Sequence, residues 1–150
     1  GYDPYLKSQI GFDIIYHGKE GLDEMLRVSD FIVTCLPVTN ETIDIVNEKT
    51  LAQMKNSAFF INVARGDIVD ESALIYALEN NIISGAFIDV CKQEPLPPES
   101  SLWKTKNLFI TPHRAAYGDL MQQRMCKLIE SNIKHYIMGE MLENLVITHI

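Results

Sequence analysis

Five short runs along the chain are apolar almost end to end: residues 13–17 (DIIYH), 31–36 (FIVTCL), 58–63 (AFFINV), 84–90 (SGAFIDV) and 108–111 (LFIT). They are rich in β-branched and aromatic residues and do not alternate cleanly with polar ones, the pattern of parallel strands covered on both faces. Helical spacing fills the gaps, with Leu22, Met25 and Leu26 on one stripe and Leu74, Ala77 and Leu78 on another. Asp70 is placed to cap the second of these helices, with Glu71 in its first turn and Val69 positioned to staple onto Leu74. The longest helix is predicted over about 120–138 from the stripe Met125, Leu128, Ile129, Ile133, Tyr136 and Ile137, with Gly139 ending it. Such alternation implies right-handed βαβ units, hence an α/β fold with a doubly wound parallel sheet and helices on both faces.

The opening is different. Gly1-Tyr2-Asp3-Pro4 reads as the tail of a strand and then a turn, with a helix expected almost at once, and no GxGxxG occurs anywhere in the chain. In a Rossmann-type sheet that glycine turn joins a centrally placed first strand to the first helix. The expectation is therefore a Rossmann-type domain lacking its first βα unit. No internal repeat or low-complexity tract interrupts it, and residues 94–98 (EPLPP) form a rigid loop.

Composition narrows the function. At 150 residues and 47% hydrophobic, 22% charged, the chain is a globular domain and not a disordered segment. Thirteen basic against 20 acidic residues give a net charge of −7 with no Lys/Arg cluster, the wrong field for nucleic acid. No apolar run reaches the roughly 18 residues of a membrane span, and no signal-peptide pattern is present. Cys35, Cys91 and Cys126 are scattered, with no CxxC and no Cys/His ligand set. This points to reduced thiols in the cytoplasm, without a metal site or a disulfide framework.

Ligands of open α/β sheets bind outside the carboxyl ends of the strands. Polar and ionisable residues gather at those ends here. Asp3 comes after the first remnant, Pro37 after 31–36, and the NVARG stretch with Ala64 and Arg65 after 58–63. Asp89 and then Glu94 come at the fourth run, and Pro112-His113 at the last. Each has an ordinary reading. Asp3 can cap a helix before Pro4, Arg65 can pair with Asp67 or Asp70 at the surface, and Asp89 can cap a turn. Glu94 can be merely solvated and His113 structural. On one edge of one sheet, they point to chemistry.

These residues resemble the D-isomer-specific 2-hydroxyacid dehydrogenases. Residues 60–74 (FINVARGDIVDESAL) are similar to the family's signature around its catalytic arginine. Residues 85–90 (GAFIDV) with 93–97 (QEPLP) are similar to the segment carrying its aspartate and catalytic glutamate. Thr111-Pro112-His113 is similar to its histidine motif, and residues 35–42 to its LPxTxET stretch. The resemblance implies His113 as general acid and base, Glu94 as the partner that fixes its tautomer, and Arg65 as the fork for the substrate carboxylate. It also implies NAD as cofactor: Asp3 receives the adenosine ribose hydroxyls, Asp89 lies near the nicotinamide carboxamide, and Pro37 and Ala64 complete the cofactor contacts. A carboxylate at Asp3 repels a 2′-phosphate and so favours NAD over NADP.

Implied besides are a small 2-hydroxy or 2-keto acid substrate and a homodimer formed through this domain. Residues 1–150 are then a partial NAD-binding domain ending in the C-terminal helix and tail, with the glycine-rich loop and the substrate domain absent. The 150 residues alone are expected to be inert and to bind NAD weakly or not at all, for want of an N–H cradle for pyrophosphate. The 94–100 run and Trp103 are similar to the glyoxylate/hydroxypyruvate-reductase branch, beside which a phosphoglycerate-dehydrogenase-like member stands. Glu94, where the formate dehydrogenases carry Gln, argues against that branch. Arg114, Ala116 and Tyr117-Gly118-Asp119 depart from the family pattern, and the extra cation at Arg114 would either lower the pKa of the neighbouring His113 or bind a further acidic group on the substrate. The competing function is an NAD(H)-sensing binding protein resembling the C-terminal-binding co-repressors.

Overall fold

The computed structural model describes residues 1–145; the last five residues of the expected tail lie outside them. Residues 1–114 form one compact unit and the residues from Ala115 onward a second.

The first unit is built on four parallel strands, β1 (Phe31–Thr34), β2 (Phe59–Asn62), β3 (Gly85–Ile88) and β4 (Leu108–Ile110), hydrogen-bonded in that order. The register sets Phe31 beside Phe59, Phe59 beside Gly85, and Ala86 beside Leu108. One face buries Ile32, Phe60, Ala86 and Ile88. Onto it come Leu26 of α1 (Gly18–Val28), Leu51 of α2 (Glu48–Leu51), and Ala73, Leu74, Ala77 and Leu78 of α3 (Glu71–Glu79), forming one continuous core. The period-2 geometry of a strand turns Phe31 and Val33, Phe59 and Phe109 to the opposite face, where all four are exposed (Phe31 69%, Phe109 64%). Phe31 and Phe59 stack there with centroids 6.1 Å apart.

Local chemistry accounts for the helix starts. Asp70 caps α3 by accepting the N–H groups of Ser72 and Ala73 at 3.0 and 3.1 Å, as its position in the sequence predicts. Asn47 and Thr50 form a reciprocal capping box on α2, a single-turn helix that hydrophobic spacing does not disclose. A 3₁₀ turn over Gly66–Ile68 is tied in by a bridge between Val46 and Val69.

Two expectations are corrected. Residues 13–17 do not form a strand: Tyr16 makes a one-residue parallel bridge to Tyr2, through Tyr16 N–H to Gly1 O (2.8 Å) and Asp3 N–H to Tyr16 O (3.1 Å). An apolar run becomes a strand only where a neighbouring ladder satisfies its backbone, and this pairing extends by just one more bond, from the Gly1 amino group to Ile14 O at 2.7 Å. Nor does a helix come after Pro4; the first begins at Gly18. Asp3 does accept the Tyr5 and Leu6 N–H groups as a cap would, at 2.8 and 2.9 Å. However, Tyr5, Leu6 and Ile10 are all exposed (Ile10 97%), so a helix here would have no face to bury, and short helices are stabilised chiefly by such packing.

The second unit holds α4 (Met121–Met138), ended as expected by Gly139 in the left-handed conformation (φ +69°). Glu140 N–H closes the end on His135 O at 2.8 Å. The predicted stripe is present, and Met125, Ile129, Ile133, Tyr136 and Ile137 along it are exposed. The chain beyond folds back on the helix, Asn132 Oδ1 accepting the Glu143 N–H at 2.8 Å. No described helix is long and apolar enough to cross a membrane.

Candidate active site

At the end of β2 stands Asn62, 1% exposed. A buried amide must find partners, and Asn62 finds them on two elements. Its Oδ1 accepts Thr34 Oγ1 at the end of β1 (2.8 Å) and the Ala64 N–H (3.0 Å), while its Nδ2 donates to the Arg65 carbonyl (2.9 Å). The turn carrying Ala64 and Arg65 is thereby pinned to the sheet. Arg65 is extended and exposed, with Nη1 donating to the Ala64 carbonyl at 2.6 Å; among the described residues no ion pair joins it to Asp67 or Asp70. The next residue, Gly66, lies against the Cys91–Lys92 backbone so closely that any side chain would overlap it. The arginine turn and the loop carrying Glu94 are therefore in direct backbone contact.

Asp89 stands just past β3 and is tied to the same layer, its N–H donating to Asn62 O at 2.9 Å. It is 2% exposed. Its Oδ1 accepts Thr111 Oγ1 at 2.5 Å and the Arg114 N–H at 2.8 Å, and its carbonyl accepts the His113 N–H at 2.8 Å. The reading of Asp89 as a turn cap describes this geometry. Further along, the Glu94 carboxylate is held at both oxygens: Oε1 by the Cys91 N–H at 3.0 Å and Oε2 against His113 Nδ1 at 2.8 Å. Glu94 is not merely solvated. His113 itself sits at φ +51°, in the left-handed region that residues with a Cβ seldom occupy.

Charge is set by these contacts. The hydrogen bond from His113, supported by the Cys91 N–H, holds the Glu94 carboxyl below the ordinary glutamate value despite some burial. Burial, with Glu71 and Glu94 nearby, pushes the Cys91 thiol up to about 11. The Leu6 and Tyr5 N–H groups lower the Asp3 carboxyl.

The structure brings Ala64, Arg65, Asp89, Glu94 and His113 to the carboxyl ends of β2, β3 and β4, Glu94 and His113 in direct contact. Asp3 and Pro37 stand apart, toward β1. There a cavity of about 600 Å³ is lined by Tyr2, Asp3, Phe12 and Tyr16 on one side and by Phe31, Thr34, Cys35 and Leu36 on the other. This space runs along β1, whose outer edge pairs with no other strand among the described residues. Its Oδ1 is used by the turn, leaving Oδ2 without a bond among the described residues. Pro37 is exposed, its carbonyl accepting Thr42 Oγ1 at 2.6 Å. Sequence reasoning passed over Thr34, Asn62 and Thr111 as site residues. Asn62 and Thr111 fall inside the motifs quoted for the resemblance, whereas the signal at Thr34 is only a polar residue within an otherwise apolar run.

Comparisons with known proteins agree with this geometry. Residues 1–115 match the family model described as D-isomer specific 2-hydroxyacid dehydrogenase, NAD binding domain. A glyoxylate reductase of Thermofilum pendens is 42% identical over 125 residues, covering 83% of this chain and 37% of the relative. A D-3-phosphoglycerate dehydrogenase of Methanocaldococcus jannaschii is 33% identical over 146 residues, covering 97% of this chain and 28% of the relative. The chain thus spans about a third of the length of these relatives. A solved D-isomer specific 2-hydroxyacid dehydrogenase from Xanthobacter autotrophicus Py2, in complex with NADPH and MES, superposes with a TM-score of 0.86 at 39% identity. That match covers 98% of this chain and 60% of the other.

Proposed function

The chain belongs to the D-isomer specific 2-hydroxyacid dehydrogenase family, and on that premise we propose that the whole protein moves hydride between a nicotinamide cofactor and a small 2-hydroxy or 2-keto acid. The observation that carries the reading is the Glu94–His113 contact, on a loop in backbone contact with the arginine turn. Reduction of a keto carbon needs an electron pair with its hydrogen on carbon and a proton on oxygen. A nicotinamide, when held here, would supply the hydride. Because Nδ1 of His113 is engaged by Glu94, the other nitrogen, Nε2, is left to give the proton to the developing alkoxide, and to take it back in the oxidation direction. Arg65, exposed at the same edge, offers its remaining N–H groups as a planar fork to the substrate carboxylate. Asp3 would hold the ribose hydroxyls through Oδ2, with Pro37, Ala64 and Asp89 completing the cofactor contacts. The negative charge at Asp3 favours NAD over a 2′-phosphorylated cofactor.

The same proposal reads residues 1–150 as part of the NAD-binding domain with the C-terminal helix, the glycine-rich loop and substrate domain lying outside these residues. It includes a homodimer and a cytoplasmic location, tested by light scattering and by cell fractionation. The activity is tested by steady-state NADH oxidation with a panel of 2-keto acids. Arg65→Gln is expected to lose on the order of 100-fold in kcat/KM, the usual scale for removing a charge-stabilising donor. A whole protein that oxidises NADH with none of them would overturn the reading and return the nucleotide-sensing alternative.

A further inference from the structure

We infer that Thr111 is a positioning residue for His113, acting through the buried carboxylate of Asp89. The inference rests on the reading of His113 as proton donor. A residue with a Cβ seldom sits at φ +51°, histidine more readily than most, and here the surroundings hold it in that conformation. They do so from both sides of the residue. The Asp89 carbonyl takes the His113 N–H, and its Oδ1 takes the Arg114 N–H just beyond and Thr111 Oγ1 just before. Thr111 is fastened in turn to β3, its N–H donating to Ile88 O at 3.1 Å. Asp89 is too buried to exchange these partners for water, so each donor counts toward fixing its orientation. The result is a latch: threonine hydroxyl orients carboxylate, carboxylate fixes the backbone on either side of His113, and the ring is delivered 2.8 Å from Glu94 Oε2. With the hydroxyl gone, Oδ1 loses the donor that ties it to the strand side of the turn. The turn then relaxes toward negative φ, and the imidazole leaves Glu94. The core beneath, built on Phe60, Leu74 and Ile88, is not touched by the change.

The experiment uses the whole protein and three variants: Thr111→Val, which keeps the shape and removes the donor; Thr111→Ser, which keeps the donor; and His113→Gln. Thr111→Val is expected to lower kcat about tenfold or more, within the roughly 100-fold that small misplacements can cost. KM for the keto acid should stay within about twofold, because Arg65 is held by Asn62 and not by this latch. The pH limb of kcat that His113→Gln abolishes should move in Thr111→Val and return in Thr111→Ser. A lowered folded fraction reduces kcat without moving that limb. Hence an unchanged kcat, or a loss with an unmoved limb, overturns the inference while the reading of His113 stands. If His113→Gln itself retains full turnover, that reading fails and the inference with it. Should Thr111→Val not fold, Thr111→Ala removes the same donor without added bulk and carries the same outcomes.

Discussion

A Cβ on Gly66 would stand 2.1 Å from the carbonyl carbon of Cys91 and 2.2 Å from its oxygen. Both atoms belong to backbone, which cannot swing aside as the tip of a side chain can. The contact joins the turn after β2 to the loop after β3, and so sets Arg65 beside the segment that carries Glu94. Gly66→Ala is expected to separate the two loops and to destabilise the fold by about 1–3 kcal/mol or more, the scale of forced overpacking. Urea unfolding of the variant against the parent checks this; an unchanged midpoint would show that the approach is not tight.

The Glu94 carboxyl lies below its ordinary value because His113 and the Cys91 N–H favour its charged form. A carboxyl lowered on folding binds its proton less tightly in the folded than in the unfolded state. Its stabilising contribution is therefore complete above the unfolded value and is lost as the pH falls through the folded one. The difference in urea midpoint between parent and Glu94→Gln should be steady near pH 6 and shrink away below the ordinary glutamate range of about 4.3. Both side chains are substantially exposed, so the difference should amount to no more than about 1 kcal/mol. A difference that grew on acidification would contradict the assignment.

The three thiols differ in environment. Cys35 and Cys126 are exposed, whereas Cys91 is buried with its thiol pushed up to about 11. Since the thiolate is the reacting species, a disulfide reagent at about pH 8 should modify Cys35 and Cys126 and reach Cys91 only in denaturant. Rapid modification of all three in the folded protein would refute the burial of Cys91.

Asp3 bears on the cofactor. The whole protein should use NADH better than NADPH, and Asp3→Ala should narrow that preference by removing the charge that opposes a 2′-phosphate. NADPH turnover equal to NADH in the parent would end this reading of Asp3. These 150 residues alone contain no glycine-rich N–H cradle for pyrophosphate, and calorimetry should register weak NAD binding or none. Micromolar affinity would show that Asp3 and the β1 edge suffice.

By itself the sequence determined what depends on near neighbours. Four apolar runs became β1 to β4 because such residues favour extended backbone wherever a ladder is available. Asp70 caps α3, and Gly139 ends α4, because both events are settled within one turn of chain. The order of Arg65, Glu94 and His113 after successive strands was enough to place them on one edge. Tertiary structure decided whatever required a distant partner. The run at 13–17 paired only at Ile14 and Tyr16, and Asp3 capped no helix, because neither segment met a surface to complete it. Along the chain Thr34, Asn62, Asp89 and Thr111 are each just a polar residue at or past the end of an apolar run. Folding brings them into one layer across the carboxyl edge, where Thr34, Asn62 and Asp89 are buried and find their partners in one another, in Thr111 and in the turns bearing Arg65 and His113. The left-handed His113 lies within that layer's hydrogen bonds, its N–H on the Asp89 carbonyl and the next N–H on Asp89 Oδ1.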